Sequence, residues 1–336
     1  SKNLIITGPN GSGKTAILES VLLCLTTKSF RSKEIEAINF DNEFFRLESE
    51  VEISSNIDTI SLYVDKQKKE LLVNKKRTPA INLIGLFPVV LFEPNLFSDF
   101  INTSTSRRKY IDTILINDTN YRQAFFKHGS LLRQRNSFLN QNKKINKVDH
   151  ALLEILTIQL IENYRIIQNL RASFINELNR EIEDIYFQIA GVRSNIVLEY
   201  HPSIKVESLS FSDLKTIGTI DRERIVGFSL FGAHRDDLKI IFNGSQIKDT
   251  ASRGEIRSVV LALKLLETRI VFAKTNKEVT LFLDDVFGEL DISHQQHLIG
   301  EIASHNTILT STNLERAIDL SDKQLIELID GEIVNG

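Results

Sequence analysis

The chain holds one cysteine, no methionine and no apolar run long enough to cross a bilayer. A single thiol, Cys24, excludes an internal disulfide; set in the apolar run VLLCL, it reads as a packed helical residue rather than a reactive one. The longest apolar stretch, Ile81 to Phe92, is broken by Asn82, Gly85 and Pro88. It falls short of the roughly 18 residues that a membrane span requires. The absence of methionine, an initiator included, points to an N-terminus that is missing or trimmed. No basic and apolar leader fits ahead of Gly8, so the expectation is a cytoplasmic protein. An overall excess of positive charge is lacking as well. The formal net charge is -3 with a pI near 6.2, which excludes a uniformly basic coat for nucleic acid. No internal repeat of about 20 to 50 residues is visible.

What is present suits about two ordinary globular domains, since 336 residues with 42% hydrophobic and 25% charged content can bury a sizeable core. Charge is unevenly spread. Between Ile101 and Val148, ten Lys or Arg face two acids, Asp112 and Asp118, for a local net charge of +8. Arg107, Arg108 and Lys109 open that segment and are candidate DNA contacts through phosphate; the plainer alternative is a solvated helix start.

Lys2 to Thr7 predicts a buried strand, and Lys14 to Thr26 a helix with Leu18, Val21, Leu22 and Leu25 inward. Residues 43 to 93 alternate in short runs, RLESEVEIS, TISLYVD and ELLVN. These predict an antiparallel meander that closes with a buried strand at Phe87 to Phe92. Further on the spacing turns helical: Ile111, Leu115, Phe125, Leu132 and Leu139 recur on one face. Past the polar loop NQNKKINKVD a second stripe runs from Leu153 through Leu160, Tyr164, Ile167 and Phe174 to Ile189, so a helical hairpin is expected. Strands return at IVLEY and LKIIFNG. A helix from Arg253 to about Ala273, the apolar strand VTLFLDD, a helix near Gln295, a strand at Thr307 to Thr310 and a turn at Asp330-Gly331 complete the chain. Because β and α segments alternate at both ends, the ends are expected to share one sheet.

Gly8-Pro-Asn10-Gly11-Ser12-Gly13-Lys14-Thr15 fits the phosphate-loop pattern at every fixed position, between a strand and a helix as the motif requires. Backbone N–H groups and the helix N-terminus would wrap the phosphates of ATP. Lys14 would reach the β- and γ-phosphates, and the Thr15 hydroxyl would ligate Mg²⁺. About 270 residues later, Leu281 to Asp285 is a hydrophobic strand ending in two carboxylates, a Walker B pattern. Asp284 would hold Mg²⁺ through water, and Asp285 would orient or deprotonate the attacking water. Ser252-Arg-Gly254-Glu255 opens a helix 32 residues before Asp284. Ser252 and Glu255 can form a capping box, which would make this an ordinary helix start. The functional alternative is that Ser252 and the Gly254 amide bind the γ-phosphate of a nucleotide held by a second subunit.

In this order (P-loop, serine-glycine signature, Walker B, then Gly288 to Asp291) the chain resembles the ABC-type ATPase heads of SMC-like proteins. Among them it resembles the RecF family. KSFR (28 to 31), VLFEP (90 to 94), SRRKYID (106 to 112), GAHRDDL (232 to 238), RSVVLALKLLE (257 to 267) and LFLDDVFGELD (281 to 291) carry that resemblance across nearly the whole chain. The fold it implies is α/β, a P-loop NTPase of ABC-ATPase-head type with a mixed sheet and antiparallel meander plus an inserted α-helical arm. Its parts are expected at 1–100 (P-loop and meander), 101–230 (arm) and 231–336 (signature, Walker B and D-loop). The resemblance places Asp291 at the nucleotide and Thr312, in the stretch Thr310 to Thr312, at the catalytic switch position. For His234 and Arg235 a charged turn that satisfies nearby carboxylates is one reading; a place near nucleotide or DNA is the other.

The activity implied is slow, DNA-stimulated ATP hydrolysis in recombinational DNA repair, replication restart and the SOS response to DNA damage. ATP would be sandwiched in a homodimer that clamps duplex DNA near gaps or single-strand to double-strand junctions, with the recombination mediators RecR and RecO as partners. Alternatives are another SMC-like ATPase, such as one with an added metal-dependent nuclease domain, none of which is visible before Gly336, or a nucleotide-gated DNA scaffold without significant turnover.

Overall fold

The N-terminal strand and helix form as β1 (Asn3–Thr7) and α1 (Lys14–Thr26). The computed structural model describes residues 3–53, 56–93, 95–143, 150–207, 209–302, 305–312 and 322–335. Pro94 of VLFEP, and Lys144 and Lys147 of the basic segment, lie outside the described residues. After α1 come β2 (Phe44–Ile53), β3 (Asn56–Asp65), β4 (Lys69–Val73), β5 (Lys76–Arg77) and β6 (Val89–Phe92). The middle contains α2 (Leu96–Asn102), α3 (Ser104–Leu115), α4 (Thr119–Asn142), α5 (His150–Leu178), α6 (Ile182–Ala190) and β7 (Ile196–His201). It continues with α7 (Phe211–Thr216), α8 (Thr219–Val226), β8 (Asp237–Phe242), β9 (Ser245–Gln246) and α9 (Ile247–Thr250). Then follow α10 (Arg253–Thr275), β10 (Thr280–Asp284), α11 (Ile292–Ile302), β11 (Asn306–Ser311), β12 (Lys323–Ile329) and β13 (Glu332–Asn335).

Two units divide the chain, one of Ser1–Leu96 with Glu267–Gly336 and one of Phe97–Leu266. In the first, a six-stranded sheet has the order β13-β12-β1-β11-β10-β6, so strands from both chain ends pair as expected. β1 lies parallel between β11 and β12, and β10 lies parallel between β11 and β6. Central parallel strands are covered on both faces and read as continuous apolar runs; Leu281, Phe282 and Leu283 of β10 are all buried. The meander is a separate antiparallel sheet, β2-β3-β4-β5. The buried strand at residues 89–92 does not close it. β6 instead joins the main sheet beside β10, where its Val89 and Leu91 pack against Leu18, Leu22 and Phe282.

Helix α1 is apolar on two sides because it is covered on two sides. Leu18 and Leu22 meet Phe282 of the main sheet, with Val21, Leu25 and Ile308 packed around them. Leu23 meets Leu62 and Val64 of the meander. Each such buried aliphatic side chain contributes roughly 1.5–3 kcal/mol, and the packing fixes the helix whose N-terminus closes the P-loop.

In the second unit, α4 and α5 pair as a hairpin, and β7-β8-β9 form a small antiparallel sheet. Each expected long helix is broken, however, the first at residues 116–118 between α3 and α4 and the second at residues 179–181 between α5 and α6. The interior is unusually polar. Arg135, fully buried, pairs with buried Glu223 at 2.5 Å and donates to Thr157 and Ser229. Arg171, 1% exposed, reaches Asp236 at 2.7 Å and Asp112 at 2.6 Å and donates to the Tyr121 hydroxyl. Asp236 also accepts from Tyr164, from Tyr200 at 2.5 Å and from the Ser203 N–H at 2.9 Å. Buried charge survives only with this degree of pairing. His128 and His234 stand beside the network with ring centroids 6.3 Å apart. Burial holds both imidazoles well below their usual range, at about 4, with the charge of His234 adding at His128 and that of Arg235 adding at His234.

Candidate functional site

Three parallel strands deliver the motif residues to one edge of the main sheet. β1 ends at Thr7 and leads into the P-loop, β10 ends at Asp284, and β11 pairs Thr310 with Asp284 and Ser311 with Thr7. The carboxyl edge of such a sheet is where α/β proteins bind ligands.

Local chemistry explains the loop. A Cβ at Gly8 would lie 2.2 Å from the Leu328 carbonyl oxygen and 2.8 Å from Ser12 Oγ, so no other residue fits under β12. Gly13, at φ 97°, is the N-cap of α1 and makes no side-chain cap. The first-turn N–H groups therefore carry the partial positive charge of a helix start into the loop. Lys14 is 7% exposed and donates from Nζ to the Gly8 and Pro9 carbonyls, at 2.8 Å each. Ser12 Oγ is buried and has no hydrogen-bond partner among the described residues. An orphaned hydroxyl, a helix N-terminus and a cation in one loop fit a polyphosphate. Asn10 and Gly11 are exposed on the rim.

Beneath the loop, Thr15 Oγ1 donates to Asp284 Oδ1 at 2.8 Å. Thr310 Oγ1 donates to the same oxygen, also at 2.8 Å, and accepts from the Asp285 N–H at 3.0 Å. One hydroxyl and one 4%-exposed carboxylate form a hard oxygen donor set that fits Mg²⁺, which is held by few protein ligands plus phosphate. No cluster of three His, Cys, Asp or Glu is found among the described residues. Asp285 sits at φ 48°, a left-handed backbone. Of the stretch Thr310 to Thr312 that the resemblance places at the switch position, Thr310 meets Asp284 through the parallel register of β10 and β11, whereas Thr312 lies exposed just past β11.

Asp291 caps α11: its Oδ1 accepts from Ser293 Oγ and from the His294 N–H, and the His294 ring lies 2.8 Å away. The His294 amide and ring, then Ser293, hold its carboxyl well below the usual range. In the second unit, the capping box at α10 is present. Glu255 Oε2 accepts from the Ser252 N–H and Oγ, each at 2.7 Å, and the Glu255 N–H returns to Ser252 Oγ at 3.3 Å. These bonds lower the Glu255 pKa. Ser252 is exposed, and a Cβ at Gly254 would meet open space.

The candidate DNA contacts have other work. Arg107 makes a bidentate pair with Asp237 at 2.8 and 3.0 Å and donates to the Phe100 and Ile101 carbonyls. Arg108 donates to the Asp236 carbonyl at 2.7 Å and to Thr105. Lys109 alone of the three is exposed. The string His234 to Asp237 is thus a junction: Asp236 and Asp237 collect three arginines and two tyrosines. Arg107→Ala is expected to lower unfolding stability by about 2 kcal/mol, since charge-assisted bonds are worth roughly 1.5–3 kcal/mol each and Asp237 is left under-paired. Chemical denaturation of the variant measures it; an unchanged midpoint would mean that the pair contributes nothing.

This constellation is that of an ABC/SMC-type ATPase head. The family model described as the RecF/RecN/SMC N terminal domain matches residues 1–324, and the chain belongs to that family. Within it, the chain belongs with RecF. It is 30% identical over 350 residues to the DNA replication and repair protein RecF of Staphylococcus carnosus (strain TM300), covering 98% of this chain and 93% of that protein. The RecF of Staphylococcus aureus (strain JH9) is 30% identical over 344 residues with the same coverage. A solved structure of the recombination mediator protein RecF with ATP, in the RecFOR pathway, superposes with TM-score 0.86 at 26% identity, covering 98% of this chain and 90% of that one. An Smc head from Pyrococcus furiosus shares the fold, with TM-score 0.54 at 14% identity, covering 99% and 89%.

Proposed function

We propose that this protein is an ATP-dependent DNA-binding ATPase of recombinational repair in the cytoplasm, working with RecR and RecO. The observation that carries this reading is the cluster of Thr15, Asp284 and Thr310 beneath a P-loop whose lysine and orphaned serine face no other ligand class so well. Lys14 and the loop amides bind the ATP phosphates. Thr15 and, through water, Asp284 hold Mg²⁺, which when bound neutralises phosphate charge. Asp285 orients the attacking water. Ser252 and Gly254 of a second copy close on the γ-phosphate, exchanging the Glu255 carboxylate for a phosphate oxygen. Asp291 and Thr312 stand near the same nucleotide in the closed pair.

The closed homodimer clamps duplex DNA near gaps or single-strand to double-strand junctions, and slow, DNA-stimulated hydrolysis opens it. Lys109 and neighbouring exposed bases contribute phosphate contacts there, with Arg107 and Arg108 behind them. Sedimentation and duplex binding with ATP, with ADP and without nucleotide test this reading: both association and DNA affinity should rise with ATP alone. Equal DNA affinity in all three states would overturn the nucleotide-gated clamp.

Ser252→Arg is expected to keep monomer ATP affinity and prevent ATP-dependent pairing, because a bulky cation would occupy the partner's γ-phosphate position. Loss of the cap costs about 1 kcal/mol of stability, too little to unfold the chain. A variant that still pairs in ATP would remove Ser252 from the interface.

A further inference from the structure

We propose that Thr310 is the positioning residue of the hydrolytic centre, aiming Asp285 through its backbone while steadying Asp284 through its side chain. The inference rests on the reading of Asp285 as the catalytic carboxylate. Thr310 is 1% exposed and pairs with Asp284 across the parallel β10–β11 ladder. A hydroxyl has one proton and two lone pairs, and an ionised carboxylate can only accept. The proton of Thr310 Oγ1 therefore lies toward Asp284 Oδ1, at 2.8 Å, which leaves its lone pairs for the Asp285 N–H at 3.0 Å. The direction of both bonds is fixed by chemistry.

Two features give this hydroxyl a task that bulk packing does not. First, Asp285 has φ 48°, a conformation that costs a non-glycine residue free energy and persists only when its surroundings hold it. Its two backbone polar groups are tied down, the N–H to Thr310 and the C=O to the Gly288 N–H at 3.3 Å. These two bonds hold the left-handed backbone, and that backbone sets the direction in which the Asp285 side chain leaves the chain. Second, Asp284 Oδ1 accepts from two hydroxyls, Thr15 and Thr310. Thr15 belongs to the P-loop and would have Mg²⁺, when bound, as a rival partner. Thr310 belongs to the sheet core and has none, so its bond holds Asp284 in place whether or not nucleotide is present.

Positioning makes a sharper demand than stability. Displacing a reacting group by about 1 Å can cost about 100-fold in rate. Replacing Thr310 by the isosteric Val keeps the volume and β-branching of the strand residue and removes only the hydroxyl, while Ser restores it.

The experiment compares Thr310→Val, Thr310→Ala and Thr310→Ser with wild type and Asp285→Asn for ATP affinity, turnover at saturating ATP and hydrogen exchange of the peptide containing the Asp285 amide. Val and Ala should bind ATP within about 3-fold of wild type, turn over about 10- to 100-fold more slowly and exchange the Asp285 amide faster. Ser should recover turnover and protection together. Parallel loss of affinity and turnover that Ser does not restore would mark Thr310 as packing alone. If Asp285→Asn is inactive while both Val and Ala turn over normally, the positioning role falls and the catalytic assignment of Asp285 stands. If Asp285→Asn itself turns over normally, both fall.

Discussion

Lys14→Ala should abolish ATP binding in the micromolar range and, through it, nucleotide-dependent pairing and DNA affinity. The ammonium is already gathered under the loop, 7% exposed and bonded to the Gly8 and Pro9 carbonyls. A phosphate arriving there meets a cation that has surrendered most of its hydration. Each charge-assisted bond it makes is worth roughly 1.5–3 kcal/mol, so losing two costs about 100-fold or more in affinity. Alanine is the best helix former and occupies the first position of α1, so the helix itself should persist. The packing of Leu18, Leu22 and Leu23 is untouched. Equilibrium dialysis with ATP checks the affinity, and circular dichroism checks that α1 and the fold remain. Retained ATP affinity in a folded variant would remove the P-loop assignment.

That assignment was legible because its chemistry is local. Strand, glycine loop and helix follow one another within residues 3–26, and the Walker B strand announces itself by burial on both faces. Register between distant strands was less legible. β6 reads as the end of the meander because it follows it in sequence, yet it pairs with β10 almost two hundred residues later. β12 was not foreseen at all, although its Leu328 carbonyl is the reason that position 8 must be glycine. Within the stretch Thr310 to Thr312 the sequence does not single out the residue that meets Asp284, because only the ladder between β10 and β11 shows which threonine faces it.

Charge was the least legible property. A count of cations between residues 101 and 148 suggests a basic outer face, but a one-dimensional count cannot see acids that arrive from elsewhere. Arg135 is fully buried against Glu223, which lies 88 residues on, and Arg107 is matched by Asp237, 130 residues on. Both acids come from the stretch 223 to 237, where the chain returns to the hairpin. Removing a partner from a fully buried pair such as Arg135–Glu223 typically costs about 3–5 kcal/mol. Such arginines support the fold first, and under the proposed function the phosphate contacts would come from exposed cations such as Lys109, Lys127 and Arg133.

Asp285→Asn should slow ATP turnover by about 10²- to 10⁴-fold, the usual contribution of a positioned acid–base group, with ATP affinity little changed. Asn has nearly the shape of Asp but no negative charge, so it can neither draw a proton from the attacking water nor stabilise its developing positive charge. The groups assigned to Mg²⁺ are elsewhere: Thr15 and Asp284 keep their 2.8 Å contact, and the bond from Thr310 engages the backbone N–H of residue 285 rather than its side chain. The left-handed backbone at this position also tolerates Asn at least as well as Asp. The variant should therefore fold, load ATP and stay closed, so that with ATP it sediments as a dimer long after the wild type has returned to monomer. Steady-state hydrolysis and a sedimentation time course read the two consequences separately. Normal turnover would assign the proton-accepting role to another residue, whereas lost turnover without a persistent dimer would show that ATP cleavage is not what opens the pair.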